Sequence, residues 1–369
     1  MAIEFAARIR RIPVYPVAAG YDLGDDVAML ASNESPFGPL PAVIEAAQRA
    51  VPGVNRYPDP SYSALRRALS DRYGVPPERI ALGNGSCDIL LAAGEALLEP
   101  GAEIVYAWPS FSVYPHLAAA SGARAIEVPL DAFERHDLDA IAAEVTVATR
   151  LVLVCNPNNP TSTVLPLEEI EAFLERIPRH VCVILDEAYC EFALSLGDSY
   201  ASLGLLGRWP NLVLLRTFSK VYGLAGLRVG YALCGDESFR EAVDQVRQPF
   251  HVSAVAQAAA VEALRHQDAV EDRVTRTIAN RLALEEGIRG LGLWHADSDA
   301  NFLWVRLPAG EDGAQAHFEA EEAAVARGLA ERGVLVRAGV SLGRAGALRV
   351  TVGTEQENAR FVAALAELL

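Results

Sequence analysis

The stretch Val181-Cys-Val-Ile-Leu-Asp-Glu-Ala-Tyr189 runs through five apolar residues and becomes polar at Asp186. Four other short apolar runs lead into polar or glycine-containing loops in the same way. They are Ile80–Leu82 before Gly83–Ser86, Glu103–Ala107 before Trp108–Phe111, Leu151–Cys155 before Asn156–Ser162, and Leu212–Leu215 before Arg216–Lys220. Such runs, alternating with longer helical patterns, are typical of parallel strands covered by helices on both faces. The sequence therefore predicts an α/β fold with a mostly parallel central sheet.

The polar loops that follow these runs define a candidate site. In open α/β sheets, ligands bind beyond the carboxyl ends of the strands. We therefore expect the five loops to meet at one edge of the sheet, although their residues are far apart in the chain.

The sequence pattern changes after about residue 250. Helical patterns at Ala254–Leu264 and Asp272–Gly287 precede short apolar runs near residues 301–305, 333–337 and 347–352. We predict an N-terminal arm at 1–45, a large domain at 46–255 and a smaller α+β domain at 256–369. The arm is expected to pack with the smaller domain.

The composition excludes several classes of protein. Of 369 residues, 32 are Lys or Arg and 48 are Asp or Glu, which gives a net charge of −16 and argues against a nucleic-acid partner. No run reaches the roughly 18 apolar residues of a membrane helix, and the N-terminus does not resemble a signal peptide. The histidines lack metal-binding spacing, so no metal is expected. Five scattered cysteines are typical of a reduced compartment, and we expect a cytoplasmic protein.

Lysine is almost absent from the chain. Lys220 is the single lysine, and the other 31 basic residues are arginines. Arginine replaces lysine as a surface charge but not as a neutral amine nucleophile, because its guanidinium stays protonated. Lys220 is therefore a candidate for a Schiff base with a carbonyl compound.

Three other catalytic motifs can be considered, but the sequence does not meet the requirements of any of them. Gly339–Gly343 matches the nucleophile elbow of serine hydrolases, but that elbow needs a histidine downstream and the last histidine is His317. A phosphate-binding P-loop needs lysine before Ser or Thr, whereas Val221 follows Lys220. A Ser219–Lys220 dyad is disfavoured because adjacent side chains point apart.

The neighbours of Lys220 match the needs of pyridoxal phosphate, a carbonyl cofactor. Gly83–Ser86 opens a helical stretch whose N-terminus suits a phosphate group, and Ser219 and Arg228 add a hydroxyl and a cation. Asp186, directly after an apolar strand, is costly to bury unless it faces a cation such as a pyridinium N–H.

Several strings carry a family resemblance over nearly the whole chain. Asp186–Tyr189, Thr217–Lys220 and Gly223–Gly230 resemble the fold-type I pyridoxal-phosphate aminotransferases, which share an aspartate-aminotransferase-like fold. Ser32–Pro39, Asn55–Asp59 and Leu348–Thr354 resemble, more narrowly, the histidinol-phosphate aminotransferases and their aromatic-aminotransferase relatives.

The resemblance implies a role for each matching residue. Lys220 would bind the cofactor and carry the proton, Asp186 would pair with the pyridine nitrogen, and Tyr189 and Asn159 would bond the phenolic oxygen. Phe111 would stack on the ring, with the small Ala188 opposite. The phosphate group would be held by Ser86, Cys87, Thr217, Ser219, Arg228 and, from a neighbouring subunit of a homodimer, Tyr57. Tyr15, Arg337 and Arg349 would bind the substrate's anionic end.

The expected reaction is transamination between histidinol phosphate and 2-oxoglutarate, as in histidine biosynthesis. An aromatic aminotransferase is the alternative, because Pro-Thr-Ser at 160–162 and the Ser110–Phe111 pair resemble aromatic members of the family. A pyridoxal-phosphate decarboxylase or lyase is a further alternative. Most of the family has glycine where Ser162 stands, so serine implies a changed turn if that position needs a positive φ. Cys87 replaces an acidic residue of the family, with little loss if only its backbone N–H is used.

Overall fold

The computed structural model describes residues 3–5, 7–12, 14, 26–308 and 315–369. Its strands are β1 (Ala28–Met29), β2 (Ile80–Gly83), β3 (Glu103–Trp108), β4 (Arg124–Pro129), β5 (Thr149–Cys155), β6 (Cys182–Asp186), β7 (Leu212–Thr217), β8 (Gly230–Cys234), β9 (Phe302–Arg306), β10 (Val334–Leu335), β11 (Arg337–Ala338) and β12 (Ala347–Thr351). Its helices are α1 (Pro41–Ala50), α2 (Ser63–Tyr73), α3 (Ser86–Leu97), α4 (Tyr114–Ser121), α5 (Leu138–Ala143), α6 (Leu167–Arg176), α7 (Glu237–Val246), α8 (Ala254–Ala263), α9 (Gln267–Gly290), α10 (Gln315–Glu331) and α11 (Glu355–Ala366).

The largest sheet among the described strands has the order β2-β8-β7-β6-β5-β3-β4. Strand β8 runs antiparallel to its neighbours β2 and β7. The other neighbouring pairs are parallel. This mostly parallel sheet, flanked by helices, confirms the predicted fold class.

The central strands bury both of their faces. On β6, Val183 and Leu185 pack into one core with residues of α2, α6 and α8. Ile184, between them, packs into a second core with residues of α3, α4 and α7. Side chains alternate across a strand, so a strand buried on both faces needs an unbroken apolar run. This is the physical reason for the pattern at 181–185.

The C-terminal part contains a second sheet, antiparallel, in the order β11-β12-β9. It packs on a separate core that includes Leu284 of α9, Val325 of α10 and Phe361 of α11. Strand β1 pairs in parallel with β10, so the segment before α1 is hydrogen-bonded to the C-terminal part. The domain limits at residues 45 and 255 stay predictions.

The five polar loops meet as the sequence predicts. The loops after β2, β3, β5, β6 and β7 all line one cavity of about 410 Å³ at the carboxyl edge of the large sheet. Residues 31–34, before α1, and residues 337, 342 and 349 close it from the other side. Among the helices in the described ranges, none is long and apolar enough to cross a membrane.

Candidate active site

Lys220 lies in the wall of this cavity, three residues after the end of β7. Its Nζ donates to the backbone carbonyls of Ser32, at 3.2 Å, and Asn33, at 3.0 Å. Burial, with the positive charge of Arg349, lowers the pKa of Lys220 from 10.5 to about 8. Roughly one amine in ten is then neutral at pH 7, a few hundred times more than for an ordinary lysine. The site therefore favours the nucleophilic form of Lys220.

Asp186, the last residue of β6, is a buried carboxylate. Its Oδ2 accepts a hydrogen bond from the Tyr114 hydroxyl at 3.1 Å, and its Oδ1 accepts one from the Ala188 N–H at 3.3 Å. Burial raises the pKa of Asp186 from 3.8 to about 6, against the effect of these hydrogen bonds. A cationic N–H placed against this carboxylate would stabilise its ionised form, as the pyridinium role requires.

The start of α3 forms a cup for an anion. Its cap residue, Gly85, has a φ of 84°, and no side chain caps the first turn, so the N–H groups of Ser86 and Cys87 are available beside the cavity. A Cβ on Gly85 would collide with the guanidinium of Arg228, so glycine allows Arg228 to lie against the loop. The Thr217 hydroxyl lies 2.9 Å from that of Ser219. These groups fit a phosphate group.

The two predicted substrate arginines are neighbours across a pair of strands. Arg337 of β11 pairs with Arg349 of β12 in the antiparallel register, so both side chains lie on one face of the sheet. Both residues line the cavity. Arg349 Nη1 donates to Asn159 Oδ1 at 2.7 Å, and its Nη2 donates to the Ala31 carbonyl at 2.5 Å. Because Asn159 Oδ1 accepts from Arg349, its NH₂ group is left as the donor for a ligand oxygen.

The structure brings nearly all of the predicted site residues to this cavity, while their roles stay predictions. The residues that line it are Ser86, Cys87, Phe111, Asn159, Asp186, Ala188, Tyr189, Thr217, Ser219, Lys220, Arg228, Arg337 and Arg349. Tyr57 does not line it. Its side chain is 81% exposed, and its ring stacks on Phe250 with the centroids 4.5 Å apart. Tyr15 lies outside the described residues.

Ser162 keeps the backbone conformation that usually favours glycine. Its φ is 62°, and the residue is fully buried. Its N–H donates to the Asn158 carbonyl at 2.7 Å, and its own carbonyl accepts from the Asp299 N–H at 2.9 Å. These bonds hold the left-handed turn with serine in place, so the loop that carries Asn159 retains the conformation expected for glycine.

Sequence reasoning missed three residues of the site. Tyr114 binds Asp186, Asn33 binds both Tyr189 and Lys220, and Glu34 lines the cavity. Asn33 and Glu34 could have been identified from the sequence, because they lie in the string Ser32–Pro39, which resembles the family. Nothing in the sequence distinguishes Tyr114 from a core tyrosine such as Tyr106. Within the described ranges, no group of three or more His, Cys, Asp or Glu residues could hold a metal ion.

The chain is similar in sequence to known aminotransferases. Residues 25–365 match the family model for aminotransferase class I and II. An aromatic amino acid aminotransferase of Streptomyces coelicolor is 41% identical over 97% of this chain and 96% of the relative. Histidinol-phosphate aminotransferase 1 of Cupriavidus pinatubonensis is 43% identical over 97% of this chain and 92% of the relative.

A solved structure has the same overall fold. The histidinol-phosphate aminotransferase of Sinorhizobium meliloti, in complex with pyridoxal-5'-phosphate, superimposes with a TM-score of 0.86 and 29% identity. The match covers 100% of this chain and 98% of that structure.

The pKa of Lys220 can be measured directly because the chain has no other lysine. Reductive methylation with ¹³C-formaldehyde of the cofactor-free protein labels only this amine and the N-terminal amine. We expect the lysine NMR signal to titrate near pH 8, against 10.5 in the urea-unfolded chain. Arg349→Ala should raise the midpoint, since it removes a neighbouring positive charge. A midpoint at the ordinary lysine value in the folded protein would contradict the electrostatics described for this site.

Proposed function

Because this chain belongs to the class I and II aminotransferase family, we propose that it transfers the amino group of histidinol phosphate to 2-oxoglutarate, with pyridoxal 5'-phosphate bound at Lys220. The observation that carries this proposal is the composition of one cavity. It contains the single lysine of the chain, with a lowered pKa, the buried carboxylate of Asp186, and two paired arginines. An amino transfer between two anionic substrates needs these three elements together.

The residues present fit the cofactor. The uncapped start of α3 with Arg228 suits its phosphate group, and Asp186 lacks an ion-pair partner among the described residues and suits its pyridinium N–H. When bound, pyridoxal phosphate supplies an aldehyde that takes up amino groups and a ring that accepts electrons from the substrate's Cα.

Each residue around the cofactor would have a separate role in the reaction. The neutral amine of Lys220 would hold the cofactor's aldehyde, and the same nitrogen would serve as the acceptor of the proton from the substrate's Cα. Asp186 would pair a fixed negative charge with the cofactor's pyridinium N–H, and charges placed in advance in this way are a large source of catalysis. Tyr189 and Asn159 would donate hydrogen bonds to its phenolic oxygen.

The choice of substrate rests on charges around the cavity. Arg337 and Arg349 offer paired guanidinium groups to a phosphate or carboxylate. Glu34 also lines the cavity, and its negative charge raises the pKa of Lys220, although within the described ranges its carboxylate forms no hydrogen bond or close ion pair. An imidazole N–H of histidinol phosphate would satisfy this carboxylate, whereas the phenyl ring of phenylalanine would only remove it from water. Glu34 therefore favours histidinol phosphate.

An aromatic amino acid is the second candidate substrate. Phe111 and Leu342 give the cavity an apolar side that suits a phenyl or phenol ring. Relatives of closely similar identity carry each of the two names. A decarboxylase or lyase has no oxo-acid acceptor. In such an enzyme the paired arginines would have only one anionic substrate to bind.

The proposal includes a homodimer with shared sites that acts in the cytoplasm. Val51, Val54 and Tyr57 are exposed apolar residues close together in the chain, and Tyr57 stacks on Phe250, which suits contact with a second copy of the chain. Tyr57 would then reach the phosphate group in the partner's cavity. All five cysteines are free thiols, in keeping with a reduced compartment.

Competition between the two amino donors tests the substrate. We expect kcat/KM to be larger for histidinol phosphate than for phenylalanine, with one glutamate formed from 2-oxoglutarate per oxo product. Glu34→Gln should lower kcat/KM about tenfold or more for histidinol phosphate, the effect of one charged hydrogen bond, and change it little for phenylalanine. A large preference for phenylalanine, or equal losses for both donors, would overturn the assignment. Oxo product without glutamate would indicate a lyase or decarboxylase.

Mixed dimers test the shared sites. Lys220→Ala chains mixed with Tyr57→Ala chains would form heterodimers in which one of the two sites is intact, because Lys220 and Tyr57 of one site come from different chains. Full exchange should give about a quarter of the wild-type rate at limiting cofactor. Lys220→Ala mixed with Asp186→Asn is the matched control, since both residues line the same chain's cavity and no intact site forms. A rate equal to the mean of the parents in the first mixture would contradict the shared site.

A further inference from the structure

Asn33 occupies an enclosed position beside the active site. The residue is 1% exposed, and its φ of 52° lies in the left-handed region, which asparagine adopts more readily than most other non-glycine residues. Its carbonyl accepts hydrogen bonds from Lys220 Nζ at 3.0 Å and from Asn301 Nδ2 at 3.2 Å. Buried polar groups need hydrogen-bond partners, and Asn33 has them at its carbonyl, its N–H and its side chain.

The Asn33 amide is oriented with its oxygen on Thr351. The Asn33 N–H donates to Thr351 Oγ1 at 2.9 Å, and the same hydroxyl donates its one proton to Asn33 Oδ1 at 3.2 Å. In this arrangement the NH₂ group points the other way.

That NH₂ group donates to the Tyr189 hydroxyl at 3.1 Å. Tyr189 Oη is thus an acceptor on the Asn33 side, so its own proton must point elsewhere. Burial raises the pKa of Tyr189, which keeps the proton on the phenol. Tyr189 is consequently a hydrogen-bond donor whose direction is set by its neighbour.

We infer that Asn33 and Thr351 are positioning residues that direct the Tyr189 hydroxyl as a donor toward the phenolic oxygen of the cofactor. The inference rests on the proposed function. Without the Asn33 amide, the phenol could turn its proton away, and the hydrogen bond that polarises it would be lost. The charged and titratable groups around Tyr189 are Lys220, with Nζ 5.5 Å from the ring centre, Arg349, Asp186 and Cys155.

The alternative is that these bonds only tie the segment before α1 to β12. That role would affect folding or cofactor affinity but not the proton affinity of the cofactor. A spectroscopic titration of the bound cofactor separates the two roles. A hydrogen-bond donor to the phenolic oxygen withdraws charge from the nearby Lys220 nitrogen, to which the cofactor is bound. A weaker donor leaves that nitrogen more basic.

The experiment measures the pH midpoint of the visible absorption band in the holoenzyme. Asn33→Gly tolerates the positive φ while removing the amide, and Thr351→Val removes the hydroxyl with little change of shape. Each should raise the midpoint by about half a unit to one unit, the shift that corresponds to one neutral hydrogen bond. Thr351→Ser, which keeps the hydroxyl, should restore the wild-type midpoint.

Combining each variant with Tyr189→Phe tests whether its effect depends on the Tyr189 hydroxyl. With the phenol absent, Asn33→Gly and Thr351→Val should no longer shift the midpoint. Unchanged midpoints in the single variants, or equal shifts with and without the Tyr189 hydroxyl, would overturn the inference while leaving the proposed function standing. Failure of the wild-type protein to form a visible band with pyridoxal phosphate would overturn both.

Discussion

The desolvated amine of Lys220 is the constraint around which the rest of the site is arranged. A buried ammonium is costly, so the surrounding groups must either pair it with a carboxylate or favour its neutral form. This chain does the second. Burial and the repelling positive charge of Arg349 lower the pKa of its amine, and they outweigh the carbonyls of Ser32 and Asn33 and the charge of Glu34, which favour the ammonium. The result is an amine whose neutral, nucleophilic form is far more abundant at neutral pH than in an ordinary lysine.

The charge distribution around that amine is opposite to that of the whole protein. The chain carries a net charge of −16, yet the cavity gathers Lys220, Arg228, Arg337 and Arg349 around two carboxylates. Local cationic groups in a concave site attract small anions even when the protein as a whole is acidic. Phosphate and carboxylate groups are therefore directed to the cavity. Within it, Asp186 and Glu34 remain as acceptors for N–H groups.

Much of this arrangement could be predicted because two signals are unusually clear. Strands buried on both faces leave unbroken apolar runs, so the stretches at 151–155, 181–185 and 212–215 were recognisable together with the loops that follow them. The scarcity of lysine made Lys220 conspicuous, because arginine cannot do the chemistry of a neutral amine. The family strings supplied most of the other predicted site residues, although Asn33 and Glu34 were missed.

Other features depend on contacts that sequence spacing does not encode. The antiparallel insertion of β8 between β2 and β7 could not be read from an apolar run alone. Tyr114 has the same local pattern as a core tyrosine, and only the folded chain brings its hydroxyl to Asp186. The bonds that orient Asn33 join residues 318 positions apart, so no local sequence pattern indicates them.

The central claim is that the single lysine holds the cofactor covalently. The most direct measurement is borohydride reduction of the holoprotein, followed by digestion and mass spectrometry of the peptides. We expect one pyridoxyl group, on the peptide that contains Lys220, and none in Lys220→Ala protein treated in the same way. A reduced holoprotein with an unmodified Lys220 peptide would contradict the account.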